Sequence, residues 1–177
     1  MRLFVALDLP AAIVAALSRI EIPPGRGVRV IRPEQMHITL HFIGDANVDA
    51  VQQALESVDC SPCRLRISGV GQFGIREGRR ILWAGVSSTK ELLELHAACG
   101  SALASIGIRI ESRRFAPHVT LARLKPPARK TTVDQFLRSG DGREFGEFTA
   151  ERFTLYDSVM KEDGARYEAI AGYPLGR

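Results

Sequence analysis

The sequence predicts an α+β protein of two pseudo-symmetric lobes, each made of antiparallel strands flanked by helices. Two observations carry this. The tetrapeptides His37-Ile38-Thr39-Leu40 and His118-Val119-Thr120-Leu121 match almost residue for residue. Around them, the order strand, helix, motif strand, helix occurs in the first half and recurs in the second after extra strands, which is the mark of an internal duplication. At 177 residues with 45% hydrophobic content, the chain suits a single two-lobed domain over 1–177 better than two independent domains.

The elements follow in order. RLFVALDL is apolar and alternates poorly, as a buried strand does, and Pro10 opens a helix over AAIVAALSRI. Asp8 and Pro10 interrupt the apolar run and no small-residue cleavage pattern follows, so the segment reads as a strand and helix of a cytoplasmic protein, with no membrane span. EIPPGRGVRVIRPEQ reads as a Pro/Gly/Arg-rich loop, and MHITLHFIG as a strand ended by Gly44. Asn47 caps a helix whose Val48, Val51, Leu55 and Val58 recur at helical spacing.

CRLRISGVGQFGI and RILWAGVS form a hairpin turning near Glu77-Gly78. Ser88 caps the next helix, which buries Leu92, Leu95, Cys99, Leu103 and Ile106 on one stripe and stops at Gly107. A short strand IRIES, a turn at Arg113-Arg114 and the strand PHVTLARL come next. KPPARKTT is a loop, VDQFLRSG a short helix, and Glu144 to Tyr173 reads as successive antiparallel strands turning at Lys161-Glu162-Asp163-Gly164.

Composition bounds the function without choosing it. A net charge of +4 and a pI near 9.2 permit a polyanionic partner but do not require one. Aromatic residues at 7% and charged residues at 25% are ordinary, which argues against disordered, collagenous and coiled-coil readings. Three cysteines, an odd number, fit a reducing compartment rather than a disulfide framework. Cys60-Ser61-Pro62-Cys63 lacks the second pair or the histidine of a zinc site, and SGVGQFG lacks the Lys-Ser/Thr of a phosphate loop.

The paired motif carries the chemistry. In a strand, His and Thr two residues apart share one face, while Ile or Val and Leu share the other. The apolar pair anchors the strand and the polar pair meets water or ligand. Two imidazoles and two hydroxyls converging about a pseudo-twofold axis suit a phosphate. Hydroxyls donate to its non-bridging oxygens, and one neutral and one protonated imidazole act as base and acid near neutral pH.

With these residues the chain resembles the two-histidine (2H) phosphoesterases, and within them the RNA 2′,3′-cyclic phosphodiesterases, also called 2′-5′ RNA ligases. The resemblance runs through RLFVALDLP, MHITLHFIG, ILWAGV, FAPHVTLAR and FTLYDSVMKEDGARYEAI, and so covers nearly the whole chain. It implies an active-site cleft between two lobes and no metal; no cofactor is expected, and the chain is expected to act as a monomer. The substrate that the resemblance implies is an RNA bearing a 2′,3′-cyclic phosphate end or a related nucleotide. His118 would deprotonate water and His37 would protonate the departing 3′-oxygen, with Thr39 and Thr120 holding the phosphate and a 2′-phosphate as product. Arg123 resembles a nucleotide-contacting position of the family.

Several residues carry two readings. Arg123 is a base-stacking guanidinium or a solvated strand end, and Phe4 an aromatic wall for a base or a core residue. His41 shares strand parity with His37 and Thr39 and is placed at the rim of the cleft, while His96 is given no role. For the whole chain the competing readings are a nucleotide-binding module of little turnover, and a phosphodiesterase for another small cyclic phosphate.

Overall fold

The apolar run Leu3–Leu7 is buried along its whole length because its strand is central. In the computed structural model, which describes residues 1–74, 76–161 and 164–176, β1 (Arg2–Asp8) lies between two antiparallel neighbours. The other strands are β2 (Val28–Val30), β3 (His37–Asp45), β4 (Cys63–Gly74), β5 (Arg80–Val86), β6 (His118–Leu124), β7 (Glu144–Ala150), β8 (Arg152–Lys161) and β9 (Gly164–Pro174). Among the described residues they form one nine-stranded antiparallel sheet in the order β7-β4-β5-β6-β3-β1-β8-β9, with β2 beside β6. Helices α1 (Ala11–Ser18), α2 (Val48–Glu56), α3 (Lys90–Ser105) and α4 (Lys130–Gly140) complete the α+β fold.

The two motif strands, β3 and β6, meet at the middle of the sheet, where Ile38 pairs with Val119. Each has the strand preceding its helix on its outer side: β1 flanks β3 and β5 flanks β6. The sheet therefore reads as two halves related about this seam. One face carries the core, with Leu3, Val5, Leu7, Ile38, Leu40, Val119 and Leu121 packed against α2 and α3 residues such as Val51, Leu55, Leu92 and Leu95. Burying side chains of this size is worth about 1.5–3 kcal/mol each relative to exposure, so the seam is held from beneath.

Local signals explain most boundaries. The Asn47 side chain accepts from the Ala50 amide at 3.0 Å and starts α2. Gly107, at φ +83°, gives the left-handed residue that ends α3. The cap of α3 is Thr89, whose hydroxyl accepts from the Leu92 amide, rather than Ser88. Ile106 lies past the last turn and is 41% exposed, so the buried stripe stops at Leu103.

The expected strand IRIES does not form. Ile108 and Ile110 pack on the core from an irregular segment, because the edges of β6 are already taken by β5 on one side and by β3 and β2 on the other. Conversely, Val28–Val30, expected as loop, pairs with β6 from Ala122 to Leu124, beyond the point where β3 pairs with it. The expected turn at Glu162-Asp163 lies outside the described residues; Lys161 and Gly164 pair on either side of it. Among the described residues no helix is long and apolar enough to cross a membrane.

Candidate active site

Strand alternation sorts the motif residues as their pattern demands. Ile38, Leu40, Val119 and Leu121 are at most 4% exposed, while His37, Thr39, His118 and Thr120 are partly open on the other face. Antiparallel pairing of Ile38 with Val119, continued one residue each way, sets His37 against Thr120 and Thr39 against His118. Each imidazole thus faces the other motif's hydroxyl across the seam.

The backbone orients both rings alike. His37 Nδ1 lies 2.7 Å from the Gln35 carbonyl oxygen, and His118 Nδ1 lies 2.8 Å from that of Ala116. A carbonyl only accepts, so Nδ1 carries the proton in each ring and Nε2 is left to exchange one at the cleft. His37 Nε2 is also 3.0 Å from the Thr39 hydroxyl.

Matching irregularities follow each motif. The β1–β3 register shifts between Val5/Ala6, which face His41 and Thr39, and so makes Leu40 an extra residue. The β5–β6 register shifts between Leu82 and Trp83, which face Ala122 and Thr120, and so makes Leu121 extra. Such a bulge reverses strand parity beyond it. His41 is therefore not at the cleft rim. It is 6% exposed on the opposite face, with Nε2 2.7 Å from the His96 carbonyl oxygen and its ring stacked on His96 at 4.1 Å. Parity brings Arg123 back to the cleft face, although an odd spacing from His118 would point it away in a regular strand. Phe42 holds the same place after His37, and it is 63% exposed.

Around His37 stands an aromatic cluster. Phe4 lies 5.0 Å from the His37 ring and 5.2 Å from Tyr156, on which it stacks. Tyr167 meets both Phe4 and His37 edge-on. Phe4 is thus on the cleft side of the sheet, 3% exposed, where it stands against His37 and lines the pocket beside it. Around His118 the neighbours are Phe73, edge-on at 5.0 Å, and Trp83 at 6.5 Å. A pocket of about 710 Å³ opens beside His37, bounded by Asp8, Leu9, Val14, Met36, Tyr156 and Tyr167 among others.

Burial depresses the basicity of both histidines. For His37, desolvation lowers the pKa; the Gln35 carbonyl and the Asp8 carboxylate oppose it, and the charges of Arg123 and His118 add to it. For His118, desolvation again leads, the Ala116 carbonyl opposes it, and Arg123 adds to it. The charge of Arg123 thus reaches both rings.

Sequence reading missed Phe42 and Asp8. Superposing the two motifs would have found Phe42, since it stands five residues after His37 as Arg123 does after His118. Asp8 has no such signal, because its nearness to His37 comes from pairing between β1 and β3. Among the described residues no group of three or more His, Cys, Asp or Glu side chains is placed so that it could hold a metal ion. Cys60, Cys63 and Cys99 are free thiols, and burial pushes Cys63 up to about 11 and Cys99 up to about 12, which leaves them little thiolate to react or to bind metal.

Comparison with known proteins fits this geometry. The model of the 2′-5′ RNA ligase superfamily matches residues 9–161. An RNA 2′,3′-cyclic phosphodiesterase of Archaeoglobus fulgidus is 30% identical over 175 residues, covering 96% of this chain and 98% of that protein. One of Thermus thermophilus is 32% identical over 190 residues, covering 99% and 90%. Among solved structures, E. coli LigT complexed with 3′-AMP is similar at a TM-score of 0.81 and 25% identity, covering 99% of this chain and 98% of that one.

Proposed function

We propose a function from the premise that this chain belongs to the 2′-5′ RNA ligase superfamily: it opens the 2′,3′-cyclic phosphate at the end of an RNA and leaves a 2′-phosphate. The observation that carries this reading is the pair of histidines on facing strands, each with Nδ1 held by a carbonyl, so that Nε2 is the nitrogen that exchanges a proton. The names of the relatives from Archaeoglobus fulgidus and Thermus thermophilus support the same chemistry.

In this mechanism His118 Nε2 takes a proton from water as its oxygen attacks phosphorus. His37 Nε2 gives its proton to the 3′-oxygen as the P–O3′ bond breaks. The net change is addition of one water, with the proton balance restored when the two histidines exchange protons with solvent. Thr39 and Thr120 donate to the non-bridging oxygens, where charge accumulates in the transition state. No metal enters these steps. If the 5′-hydroxyl of a second RNA fragment attacks in place of water, the same proton transfers join the two by a 2′-5′ linkage.

Arg123 and Phe42 flank the phosphate position on the cleft face, and both offer flat surfaces on which a nucleobase stacks. One chain carries both histidines, so a monomer suffices. Three free cysteines suit the reducing cytoplasm.

The test is incubation with a short RNA ending in a 2′,3′-cyclic phosphate, in excess EDTA, with separation of 2′- from 3′-phosphate products. The reading expects conversion to the 2′-phosphate. A 3′-phosphate product, or activity abolished by EDTA and restored by a divalent cation, overturns it, and tight binding without turnover favours a nucleotide-binding module.

A further inference from the structure

The site is nearly two-fold. Histidine matches histidine, threonine matches threonine, both Nδ1 atoms meet a carbonyl two residues upstream, and both strands bulge at the motif leucine. The symmetry breaks one residue away. On β1 the residue paired with His37 is Asp8, whereas on β5 the residue paired with His118 is Gly85. Gly85 cannot be replaced by an acid without rearrangement, because a Cβ there would lie 2.6 Å from the Ser68 carbonyl oxygen of β4.

Asp8 is also held. The Thr154 hydroxyl donates to its Oδ2 at 2.9 Å, and the Tyr156 hydroxyl donates to its Oδ1. Both come from β8, which pairs with β1 on the side away from β3. Two donors, one on each oxygen, suit the ionised carboxylate, and Thr154 is 3% exposed, so this arrangement is fixed from below. Burial and the Asp8 charge push the Tyr156 hydroxyl up, which keeps it a donor.

We infer that Asp8 is a positioning residue that sets the polarity of the histidine pair, keeping His37 the proton-bearing member and leaving His118 the neutral one. The inference rests on the cyclic-phosphate reading above and decides which way that reaction runs through the site. The ionisable groups around His37 are Asp8 from β1, Tyr156 from β8, Tyr167 from β9, His118 and Arg123 from β6, and Glu34 in the turn before β3. The Tyr156 hydroxyl is pushed up and stays a donor, His118 and Arg123 oppose protonation, and Glu34 lies 3.7 Å from the Arg32 guanidinium. Among the described residues Asp8 is the carboxylate whose charge reaches His37, and no carboxylate stands among the charged groups that act on His118.

The experiment is NMR titration of the His37 and His118 imidazoles in the wild type, Asp8→Asn and Asp8→Glu, beside kcat/KM against pH on a cyclic-phosphate RNA. In the wild type His37 titrates above His118. Asp8→Asn lowers His37 by about one unit, a tenfold loss of proton affinity, and moves His118 much less. The descending limb of the rate profile moves to lower pH by the same amount while the ascending limb stays, and Asp8→Glu restores much of the His37 value. His118 titrating above His37 in the wild type, both rings moving together in Asp8→Asn, or a uniform loss of rate with unmoved limbs overturns the inference. The wild-type order needs no variant to fold. Should the wild type fail to open cyclic phosphates while the titrations behave as stated, the proposed function falls and the role of Asp8 in ordering the two imidazoles stands.

Discussion

Phe42 and Arg123 occupy equivalent places on the two motif strands, each five residues past its histidine and each returned to the cleft face by a bulge at the motif leucine. Neither touches the reacting atoms in the proposed mechanism, so each contributes binding rather than chemistry. Phe42→Ala and Arg123→Ala should each raise KM for a cyclic-phosphate RNA, with kcat reduced much less. Loss of a stacked base is worth about 1–3 kcal/mol, or about 5- to 150-fold in kcat/KM. Steady-state kinetics on dinucleotide and longer substrates checks this, and an effect confined to kcat would contradict it.

Thr39 and Thr120 differ from that pair in facing the histidines across the seam. Thr39→Val and Thr120→Val keep strand shape and remove one donor each. Loss of a transition-state donor costs about 10²- to 10³-fold, so kcat should fall by at least about tenfold with little change in KM. Because the Thr39 hydroxyl bonds His37 Nε2, Thr39→Val should also change the His37 titration, which Thr120→Val should not.

Both active-site histidines are depressed chiefly by desolvation, and this sets the sign of the pH dependence. The base must be neutral and the acid protonated, so a bell-shaped profile is expected whose limbs belong to the pair. In kcat/KM, which reports the free enzyme, the bell should lie to the acid side of one drawn for ordinary histidines with pKa near about 6.5. A bound phosphate is anionic and favours the imidazolium forms, so the kcat profile should lie at higher pH than the kcat/KM profile. A flat response across the neutral range, or displacement in the opposite sense, would count against paired imidazoles.

Behind the sheet, His96 stacks on His41 and, at 4.0 Å, on Phe115. Burial, with the neighbouring His41 adding to it, brings His96 down to about 4, and burial lowers His41 as well. Unfolded histidine binds its proton near about 6.5, so between these values the unfolded state holds more protons than the folded one. Stability should therefore decline as pH falls from about 6.5 toward 4. Denaturant unfolding across that range checks it: His96→Gln should flatten the decline, and an unchanged slope would show that the stack is not its source.

How much of this was legible depends on whether the signal was local. The motif strands, the Asn47 cap and the buried stripe Leu92, Leu95, Cys99, Leu103 follow from periodicity and turn chemistry, although the periodicity carries the stripe one member too far, to the exposed Ile106. The bulges were not legible, because Leu40 and Leu121 look like ordinary inward residues of an unbroken strand. That is why strand parity alone puts His41 on the wrong face, and why the five-residue spacing of Arg123 makes sense only with the register shift. Phe4 reads as apolar in either setting, and only its contacts with His37, Tyr156 and Tyr167 show that it backs the site. Asp8 meets His37 through a pairing of residues far apart in sequence. The segment IRIES has strand propensity but finds β6 already occupied.

The central claim is that His37 and His118 act as one unit on one phosphate, and single-turnover cleavage of a cyclic-phosphate RNA by His37→Ala, His118→Ala and the double variant tests it most directly. Acid–base groups contribute about 10²- to 10⁴-fold each, and members of one catalytic unit are strongly non-additive. The account predicts that each single variant loses at least about a hundredfold and that the double variant is scarcely worse than the poorer single one. Losses that multiply, or a variant of either histidine that retains near-normal rate, would contradict a shared site.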